Sequence, residues 1–448
     1  MAGVSPANLN LIAAGTAAST VKQVVMKILV IGSGGREHAL VWKLEQSPDV
    51  ERIFCAPGNA GTAQLGENVA IPANDLPALA RFAKENDVDL TVVGPDDPLA
   101  AGIVDLFQSE KLRVFGPTKS AARLESSKIF AKELMSEQGI PTAQASTFSE
   151  SNAAMRYAEQ LEFPIVIKAD GLALGKGVII APDMATARST IDSMMKEGRF
   201  GEAGRRIVIE ELLRGTECSL HALVDGKNYR LLETARDHKR AFDGDKGPNT
   251  GGMGAFSPAN NWNRDLETQF DSKIMKPLLR GLREKGVEFR GLLFPGLMIT
   301  EDGARVLEFN CRFGDPETQA ILPRMQSDLL LLLQATIDGE IDNHSIEWDE
   351  RVSVTVVLAS GGYPDKYETG KPISGLEDAA KLEGVQIFHA GTKRVNGEIV
   401  TAGGRVLAVT ALGSTIETAR DRAYEAVSRI HFEACHFRRD IARSANAR

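Results

Sequence analysis

The sequence is poor in cysteine, in long apolar runs and in positive charge. Its four cysteines are far apart and form no C-x-x-C pair, which disfavours a disulfide scaffold or a zinc finger. No run approaches the ~20 apolar residues that a membrane-spanning helix needs. The 60 acidic residues outnumber the 52 basic ones and give a net charge of −8, which argues against a broad cationic surface. These absences favour a cytoplasmic protein that binds neither nucleic acid nor membranes.

Chain length and glycine content indicate several domains with ligand-binding turns. The 448 residues are about three times a ~150-residue domain. The 42 glycines exceed the usual ~7%. Residues 1–25 contain no acid and one lysine and match neither a secretory signal nor a transit peptide, so we interpret them as a disordered or non-native extension.

Residues 26–126 alternate short β-rich runs with helical segments. The first unit reads MKILVIGSGG and continues into the helical pattern of REHALVWKLEQS. Further runs, ERIFC, DLTVVG and LRVFG, are separated by helical stretches. This alternation predicts a doubly wound parallel sheet that binds its ligand at the carboxyl ends of the strands.

Residues 127–350 and 351–440 are predicted as two further domains, followed by a tail at 441–448. In the central region, EFPIVIKADGLALGKGVII predicts a β-hairpin flap, and LFPGLMITEDGARVLEFN predicts a second hairpin. The polar stretch 235–260 is so rich in glycine and proline that we predict a long functional loop without regular elements. From Arg351 the chain is β-rich with one late helix.

The glycine-rich segment GSGG, residues 32–35, permits two interpretations. It departs from the dinucleotide fingerprint because the sixth position is Glu37 instead of glycine. Glycines at a strand end still allow a phosphate to approach backbone N–H groups, with charge added by Arg36 and His38. The alternative is a tight turn with no ligand.

The segment GLALGKG, residues 171–177, fails the Walker A pattern. It has one residue too few between its glycines and no hydroxyl residue after Lys176. We predict a flexible flap that folds over a triphosphate. Lys168 lies just upstream in a very apolar strand, where an unpaired ammonium is costly to bury. It is therefore a candidate phosphate ligand, the alternative being a solvated lysine on an edge strand.

A candidate metal site lies in VLEFN. Glu308 and Asn310 are two residues apart, so on a strand both side chains face one side and Phe309 faces the other. Their oxygens suit Mg²⁺, which also keeps waters and nucleotide phosphates as ligands. Arg312 has the same parity and could clamp a transferring phosphoryl group. The alternative is a surface strand with solvated polar residues.

The segment 236–258 combines charges of both signs with the glycines of TGGMG. It could be a solvated loop. A substrate that carries both an amine and acidic groups would need the same mixture. We interpret Cys311 as a buried thiol and His238 as a loop imidazole, and assign neither a catalytic role.

Together these segments resemble the phosphoribosylamine–glycine ligases of the ATP-grasp superfamily. The matching motifs are GSGGREHAL, PGNAGT, GPDDPLAAGI, SSKIFAK, IKADGLALGKGV, DHKRAFDGDKGPNTGGMGAFSP, EFNCRFGDPETQ and TAGGRVL. The resemblance implies a multidomain α/β and α+β protein: an N-terminal doubly wound parallel sheet, a central ATP-grasp fold with a mobile lid at about 150–215, and a small β-rich C-terminal domain. It implies ATP-dependent ligation of glycine to 5-phosphoribosylamine through glycyl phosphate, the second step of de novo purine synthesis, by a monomer or a weak homodimer.

The resemblance also assigns residues. ATP phosphates and the closing loop would involve Lys128, Lys168, Gly171, Gly175, Lys176 and Gly177. Adenine would contact Glu210, Glu211 and Leu212, and the ribose hydroxyls would contact Glu217. Mg²⁺ or Mn²⁺ would bind Glu308 and Asn310. The substrates would lie against Gly34, Gly35, Arg36, Gly58, Asn59, Asp237, Lys239, Asn249, Gly251, Arg312 and Asp315. The catalytic groups would be Arg312, Lys168, Asp237 and Asp245.

Two other functions remain open from the residues. Another ATP-grasp ligase, or a carboxylase, would share the lysines and the E-x-N metal pair but lack the DHKR to GGMG segment. A Rossmann-type oxidoreductase or nucleotide-binding module would need a glycine at position 37, where the sequence has Glu37. The second glycine-rich loop at 171–177 also counts against this alternative.

Overall fold

The computed structural model of the protein describes residues 25–173 and 176–443. The predicted extension, apart from Val25, lies outside these ranges, as do most of the tail and Gly175 of the flap. The bounds of the regular elements follow in chain order.

The N-terminal strands are β1 Met26–Gly32, β2 Val50–Pro57, β3 Glu67–Asn68, β4 Leu90–Val93 and β5 Val114–Phe115; the helices are α1 Gly35–Leu44, α2 Thr62–Leu65, α3 Leu76–Glu85, α4 Asp96–Ala101 and α5 Ile103–Ser109. All pairs are parallel, in the order β3-β2-β1-β4-β5. The side chains of β1 from Ile28 to Ile31 are fully buried, because helices cover both faces of the sheet. The doubly wound parallel sheet is confirmed.

The central helices are α6 Arg123–Ser126, α7 Lys128–Glu137, α8 Ser151–Ala158, α9 Met184–Met195, α10 Arg264–Phe270, α11 Lys276–Glu284, α12 Glu317–Ile321 and α13 Leu329–Asp338. The central strands are β6 Ala145–Phe148, β7 Ile165–Ala169, β8 Val178–Ala181, β9 Ile207–Glu211, β10 Thr216–Ser219, β11 Ala222–Asp225, β12 Tyr229–Leu231, β13 Arg236–Asp237, β14 Arg240–Phe242, β15 Lys246–Asn249, β16 Gly254–Ser257, β17 Arg290–Thr300 and β18 Gly303–Asn310. Single helical turns lie at Gly201–Gly204, Asp271–Met275, Leu322–Arg324 and Ile341–Asn343.

The C-terminal elements are β19 Val352–Ala359, α14 Leu376–Ala380, β20 Val385–His389, β21 Thr392–Val395, β22 Glu398–Thr401, β23 Arg405–Gly413 and α15 Ile416–Arg429. They confirm a β-rich region with a late helix. Among the described residues, no helix is both long and apolar enough to cross a membrane.

Two sheets of the central region face each other. A four-stranded sheet, in the order β6-β9-β7-β8, contains the predicted flap, since β7 and β8 pair antiparallel. A five-stranded sheet contains β10, β17, β11 and β12, with β18 paired to β17 as the predicted second hairpin. The apolar segment after residue 206 forms β9, β10 and β11, and β9 and β10 belong to different sheets.

The four-stranded sheet joins the rest of the chain through one neck, formed by residues 141–144 and 211–215. The two segments of the neck bind each other: the Gln144 N–H donates to Glu211 Oε1 at 2.9 Å, and the Glu211 N–H donates to the Gln144 carbonyl at 3.1 Å. The Thr142 hydroxyl also donates to the Val306 carbonyl of β18 at 2.7 Å. The neck therefore lies directly beside the hairpin that carries the predicted metal ligands.

The prediction that 235–260 lacks regular elements is wrong. The stretch contains β13 to β16, and β16 pairs with β19 in a sheet of the order β13-β16-β19-β23-β20. Gly244 and Gly252 adopt positive φ in the connections between strands, and Gly247 does so within β15. These strands connect the central region directly to the C-terminal sheet.

Candidate active site

A cavity of about 520 Å³ separates the four-stranded and five-stranded sheets. We call it the main cavity. It brings together most of the predicted site residues: Lys128, Lys168, Gly171, Gly177, Glu210, Glu211, Leu212, Glu217, Asp237, Lys239, Asp245, Asn249, Gly251, Glu308, Asn310, Arg312 and Asp315. Residues from positions 128 to 315 thus converge on one site.

Lys168 lies on a central strand of the four-stranded sheet and is 6% exposed. Its ammonium forms an ion pair with Glu210 on neighbouring β9 and donates to the Leu307 carbonyl at 3.0 Å. Leu307 is an extra residue in β18, where the pairing with β17 shifts. The solvated edge-strand alternative for Lys168 is therefore wrong, and its partner explains how the charge is buried.

Glu210, predicted to contact adenine, binds two lysines through its carboxylate. Lys132 of α7, a residue that sequence reasoning missed, lies 2.6 Å from Glu210 Oε2. The same ammonium donates to the Thr142 hydroxyl at 2.8 Å. Two ammonium groups around one carboxylate leave an excess positive charge at the cavity wall, which suits an anionic ligand. The prediction of a Glu210 contact with adenine stays a prediction.

The base of the flap packs against the start of α7. The Lys128 ammonium donates to the Gly171 carbonyl at 3.2 Å, and Asp170 accepts from the Ile129 N–H at 2.8 Å. Burial lowers the pKa of Lys128, an effect that the charge of Glu308 opposes. At the other end of the flap, Lys176 donates to the Pro364 carbonyl of the C-terminal region at 2.9 Å. Gly175 lies outside the described residues.

Glu308 and Asn310 lie on one face of β18 and line the main cavity, while Phe309 is buried on the other face. The predicted strand parity is therefore observed. Burial alone would raise the pKa of Glu308, but surrounding cations outweigh it and bring the pKa below its usual value. These cations are Lys239, Lys168, Lys128 and Arg312. The Glu308 carboxylate is consequently ionised.

Arg312 is held in place by Glu125 of α6, which sequence reasoning did not single out. Arg312 Nη2 lies 3.0 Å from Glu125 Oε1 and donates to Asn310 Oδ1 at 3.2 Å. The Cys311 N–H donates to the other oxygen of Glu125 at 2.7 Å. Cys311 is a buried thiol, as predicted. Glu125 thus fixes the guanidinium beside the predicted metal ligands.

The 236–258 segment forms one wall of the main cavity. Lys239 lies 3.0 Å from Glu217 Oε2, and this carboxylate is the main cause of the raised pKa of Lys239. The Gly251 N–H donates to the Tyr363 hydroxyl at 3.1 Å, and the Gly251 carbonyl accepts from Arg405 at 2.5 Å. The C-terminal region therefore anchors this wall.

Asp245 lies at the rim of the main cavity with a 66% exposed side chain. Its carboxylate accepts from Arg438 at 2.8 Å and ties the β14–β15 hairpin to the C-terminal segment. That contact gives Asp245 a structural role, and its predicted catalytic role stays a prediction. His238, predicted as a loop imidazole, is buried and accepts from the Ala442 N–H at 3.2 Å.

A second cavity of about 460 Å³ lies between the N-terminal loops and the C-terminal region. Four predicted substrate residues line it: Gly34, Gly58, Asn59 and Asp315. Its C-terminal lining was missed by sequence reasoning: Ala390, Gly391, Thr392, Lys393, Ala402, Gly403 and Arg405. The glycines of HAGTK and of TAGGRVL could have indicated this lining. TAGGRVL is one of the motifs that carry the family resemblance, but we assigned it no role from the sequence.

The GSGG turn accommodates a side chain of its own protein. The Gly34 N–H donates to Glu37 Oε2 at 2.6 Å, and a Cβ added at Gly32, Gly34 or Gly94 would collide with the Glu37 side chain. A carboxylate therefore already occupies the amino-terminal end of α1, where an anion would bind. Of the two interpretations of GSGG, these contacts favour a tight turn over a phosphate site. Gly34 nevertheless lines the second cavity.

The expectation that His38 adds positive charge is wrong. Burial, followed by the influence of His389, lowers the pKa of His38 to about 3, so the ring is neutral. Its Nδ1 accepts from the His389 N–H at 2.7 Å. Arg36 is buried against Glu37 at 2.6 Å and donates to the Phe313 carbonyl. Neither Arg36 nor Gly35 is among the lining residues of the two cavities.

The sequence and fold can now be compared with known proteins. Models of three phosphoribosylglycinamide synthetase domains match the chain: the N domain at 26–125, the ATP-grasp (A) domain at 126–318 and the C domain at 353–444. The chain belongs to this family. It is 51% identical over 426 residues to a phosphoribosylamine–glycine ligase of Allochromatium vinosum, covering 94% of this chain and 99% of that protein.

Solved structures agree with this membership. The crystal structure of phosphoribosylamine–glycine ligase from Thermotoga maritima aligns with a TM-score of 0.80 and 34% identity, over 93% of this chain and 100% of that one. The biotin carboxylase domain of Hydrogenobacter thermophilus 2-oxoglutarate carboxylase aligns with a TM-score of 0.71 over 93% of this chain and 92% of that one, but with only 15% identity. The second likeness concerns the ATP-grasp fold alone.

Proposed function

We propose that the protein joins glycine to 5-phosphoribosylamine at the expense of ATP, releasing glycinamide ribonucleotide, ADP and phosphate. The observation that carries the proposal is the convergence of buried lysines, the Glu308–Asn310 pair and Arg312 on one cavity between two sheets. The family membership indicates the same reaction, a step of purine biosynthesis.

The main cavity suits a nucleoside triphosphate. Lys128, Lys132 and Lys168 line one region of it and bring positive charge to the phosphates, and Gly171 and Gly177 of the flap line it too. The apolar side chains of Val166, Val208 and Met298 line another part of the cavity, which suits a flat base. We assign the base contacts to Glu211 and Leu212 of the neck and the ribose contacts to Glu217.

The residues present fit a divalent cation. Glu308 is ionised and shares a strand face with the amide of Asn310, so both offer hard oxygen donors. Within the described residues, no group of three or more histidine, cysteine or acidic side chains could hold a metal without other ligands. A cation at this pair would therefore share the oxygens of the nucleotide phosphates. Mg²⁺ or Mn²⁺ would there neutralise charge that develops on the transferring phosphoryl group.

The reaction proceeds in two displacements. A glycine carboxylate oxygen attacks the terminal phosphorus of ATP, the bond to ADP breaks, and glycyl phosphate forms. The amine of phosphoribosylamine then attacks the acyl carbon, phosphate leaves, and the amine nitrogen loses a proton. Arg312 and Lys168 hold the phosphoryl oxygens during both steps. The protein's contribution is thus positioning and charge stabilisation, and no serine or cysteine nucleophile is required.

The second cavity suits the ribosyl phosphate of the amine substrate. Ser33, Gly34 and Gly58 line it, and Lys393 adds a cation at its wall. Asp315 and Arg405 line it, and Asp315 lines the main cavity too. The amine of a sugar bound there would point toward the acyl phosphate. Four free cysteines, three of them buried, agree with a cytoplasmic location.

A coupled ADP-release assay tests the proposed function. The purified full chain, supplied with ATP and Mg²⁺, should release ADP only when glycine and freshly generated phosphoribosylamine are both present. Replacing glycine by bicarbonate separates this function from that of a carboxylase. ADP release that follows bicarbonate, or binding of nicotinamide nucleotides in place of ATP, would contradict the proposal.

A further inference from the structure

Three residues lie between the main cavity and the second cavity. Asp315 lines both cavities, Gly251 lines the main cavity, and Arg405 lines the second. The Arg405 guanidinium joins them: it donates to the Gly251 carbonyl at 2.5 Å and to the Asp315 carbonyl at 2.8 Å, and its Nη2 lies 2.8 Å from Asp315 Oδ2. We call these three residues the partition. In the proposed function, the acyl phosphate lies on one side of the partition and the amine on the other.

The Asp315 end of the partition is a carboxylate with both oxygens bound. One oxygen accepts from Gln319 Nε2 at 2.7 Å, and the other pairs with Arg405. Burial alone would raise the pKa of Asp315, but its partners, Arg405 above all, bring the pKa below its usual value. Asp315 is therefore ionised and holds the guanidinium by charge as well as by hydrogen bonds.

The Gly251 end of the partition depends on Tyr363, a residue to which no role has been assigned. The Gly251 N–H donates to the Tyr363 hydroxyl at 3.1 Å, while the Gly251 carbonyl accepts from Arg405. A Cβ on Gly251 would lie 3.0 Å from the central guanidinium carbon of Arg405. Gly251 is thus clamped between the tyrosine hydroxyl and the guanidinium.

Tyr363 also packs against the segment that leads into Arg405. A Cβ on Gly404 would lie 2.4 Å from a ring carbon of Tyr363, so the missing side chain at Gly404 permits the close approach of the ring. Ser360, which begins the turn that carries this ring, donates from its N–H to the Gly404 carbonyl at 2.8 Å and from its hydroxyl to the Gly403 carbonyl at 2.9 Å. Tyr363 therefore supports the backbone next to Arg405 as well as the opposite end of the partition.

We propose that Tyr363 is a positioning residue that holds Gly251 and Arg405 in the partition, so that the acyl phosphate reacts with the amine and not with water. This inference rests on the proposed function and adds to it the group that couples its two steps. A displacement of about 1 Å between reacting groups can slow a reaction about 100-fold, and water that enters an active site hydrolyses reactive intermediates.

The amine and water compete for the same acyl carbon. Attack by the amine nitrogen breaks the bond from the acyl carbon to the phosphate oxygen and gives glycinamide ribonucleotide and phosphate, with loss of a proton from nitrogen. Attack by the water oxygen breaks the same bond and gives glycine and phosphate, with loss of a proton from oxygen. The second course consumes ATP without product, so the ratio of ADP to glycinamide ribonucleotide measures the coupling.

The variant Tyr363→Phe tests the inference, because it removes the hydroxyl that accepts from Gly251 and keeps the ring against Gly404. With all three substrates saturating, the molar ratio of ADP to glycinamide ribonucleotide should rise from about 1 in the wild type to about 2 or more. With ATP and glycine alone, ADP release should be about 3- to 10-fold faster than the wild-type background. The KM values for ATP and glycine should stay within about twofold. A ratio of about 1, together with wild-type background release, would overturn the inference.

Tyr367→Phe is the matched control. Tyr367 belongs to the same loop, its ring centroid lies 6.3 Å from that of Tyr363, and its side chain is 41% exposed. The variant removes a tyrosine hydroxyl without touching the bond to Gly251, so its ratio of ADP to product should stay at the wild-type value. Equal uncoupling in Tyr363→Phe and Tyr367→Phe would overturn the role of the bond to Gly251.

Arg405→Lys provides a second, independent variant. Lysine keeps the charge but replaces the planar fork that binds Gly251 and Asp315 together, so this variant should also raise the ratio of ADP to product. Because Tyr363 and Arg405 act on the same glycine, the double variant should be no more uncoupled than the stronger single variant. Independent effects that multiply would overturn the inference. If Tyr363→Phe fails to fold, as judged by circular dichroism and thermal melting, an unchanged ratio in Arg405→Lys overturns it.

The failure of this inference can be told apart from the failure of the proposed function. Wild-type protein that releases no ADP in response to glycine and phosphoribosylamine contradicts the proposed function itself. Wild-type protein that forms glycinamide ribonucleotide, combined with a Tyr363→Phe variant that remains fully coupled, contradicts the positioning role of Tyr363 alone.

Discussion

The main cavity and the second cavity have similar volumes, about 520 and 460 Å³, but they are built from different groups. Many charged side chains line the main cavity, and several of them are held in ion pairs, such as Lys168 with Glu210 and Arg312 with Glu125. The second cavity is lined largely by glycines and small residues, with Lys393, Arg405 and Asp315 as its charged residues. The first is suited to stabilising charge that changes during a reaction, and the second, where Lys393 adds a cation, to holding an anionic substrate.

This difference predicts that substitutions in the main cavity reduce turnover, whereas those in the second cavity weaken the binding of one substrate. Changes in the ion-paired network should also affect folding stability, because its members are buried together. Four experiments test the contrast.

The largest effect is expected for Glu308→Ala. Removing this carboxylate eliminates the proposed metal ligand and should reduce kcat about 100- to 1,000-fold. The affinity for ribose 5-phosphate, a probe of the second cavity, should stay unchanged by calorimetry. A wild-type kcat in this variant, or a loss of its affinity for ribose 5-phosphate, would contradict the proposed difference between the two cavities.

The next largest effect is expected for Lys168→Ala, about a 100-fold loss of turnover. This variant should also lose about 1 to 3 kcal/mol of unfolding free energy, because Glu210 then keeps Lys132 as its only ion-pair partner. Adding Glu210→Gln should recover stability in urea titrations without recovering activity. Recovery of both quantities would show that Lys168 acts only as a structural residue.

A smaller effect is expected for Lys393→Ala in the second cavity. Loss of this cation should raise the KM for phosphoribosylamine about 10-fold and leave kcat and the KM for ATP unchanged. Lys381→Ala is the matched control, because Lys381 is an exposed lysine of the same region that pairs with Asp378. Equal behaviour of the two variants would argue against a phosphate at the second cavity.

The smallest effect concerns pH. His38 and His389 contact each other behind the second cavity, and burial lowers their pKa values to about 3 and about 4. The unfolded chain therefore binds more protons than the folded protein once the pH falls below about 6.5, so stability decreases as the pH falls toward 3. Between pH 7 and pH 6 the loss should be less than about 1 kcal/mol per histidine.

Urea titrations of wild type and of His38→Gln at several pH values measure this dependence. The variant should show a shallower decrease of unfolding free energy with falling pH, whatever its stability at pH 7. An unchanged slope would mean that the pKa of His38 is the same in the folded and the unfolded protein.

The same contrast explains which parts of the site could be predicted from the sequence. The parity of Glu308, Phe309 and Asn310 is a local property of one strand, and the structure preserves it. Lys168 stood out because an apolar strand seldom contains an unpaired lysine. The sequence could not predict that Glu210 compensates the charge of Lys168, because the two residues meet only through the pairing of β7 with β9.

Sequence reasoning missed the C-terminal lining of the second cavity because the residues that form this cavity are distant in the chain. Asn59 donates to the His389 carbonyl at 2.8 Å across 330 positions. The C-terminal residues at 390–393 and 402–405 include several glycines and carry no pattern of charge. Glu37 was read as a departure from a nucleotide fingerprint, whereas its side chain fills the space that the surrounding glycines leave open.

Because the four-stranded sheet is covalently attached at the neck alone, it can tilt as one body without losing any hydrogen bond inside either sheet. The resistance to tilting then comes from polar contacts between the two sides, such as Lys168 with the Leu307 carbonyl and Lys176 with the Pro364 carbonyl. Each of these two hydrogen bonds has a charged donor and contributes roughly 1.5 to 3 kcal/mol. Hinge motions that break such contacts take microseconds to milliseconds. We therefore expect that exchange of spent nucleotide requires the rupture of such contacts and no unfolding of either sheet.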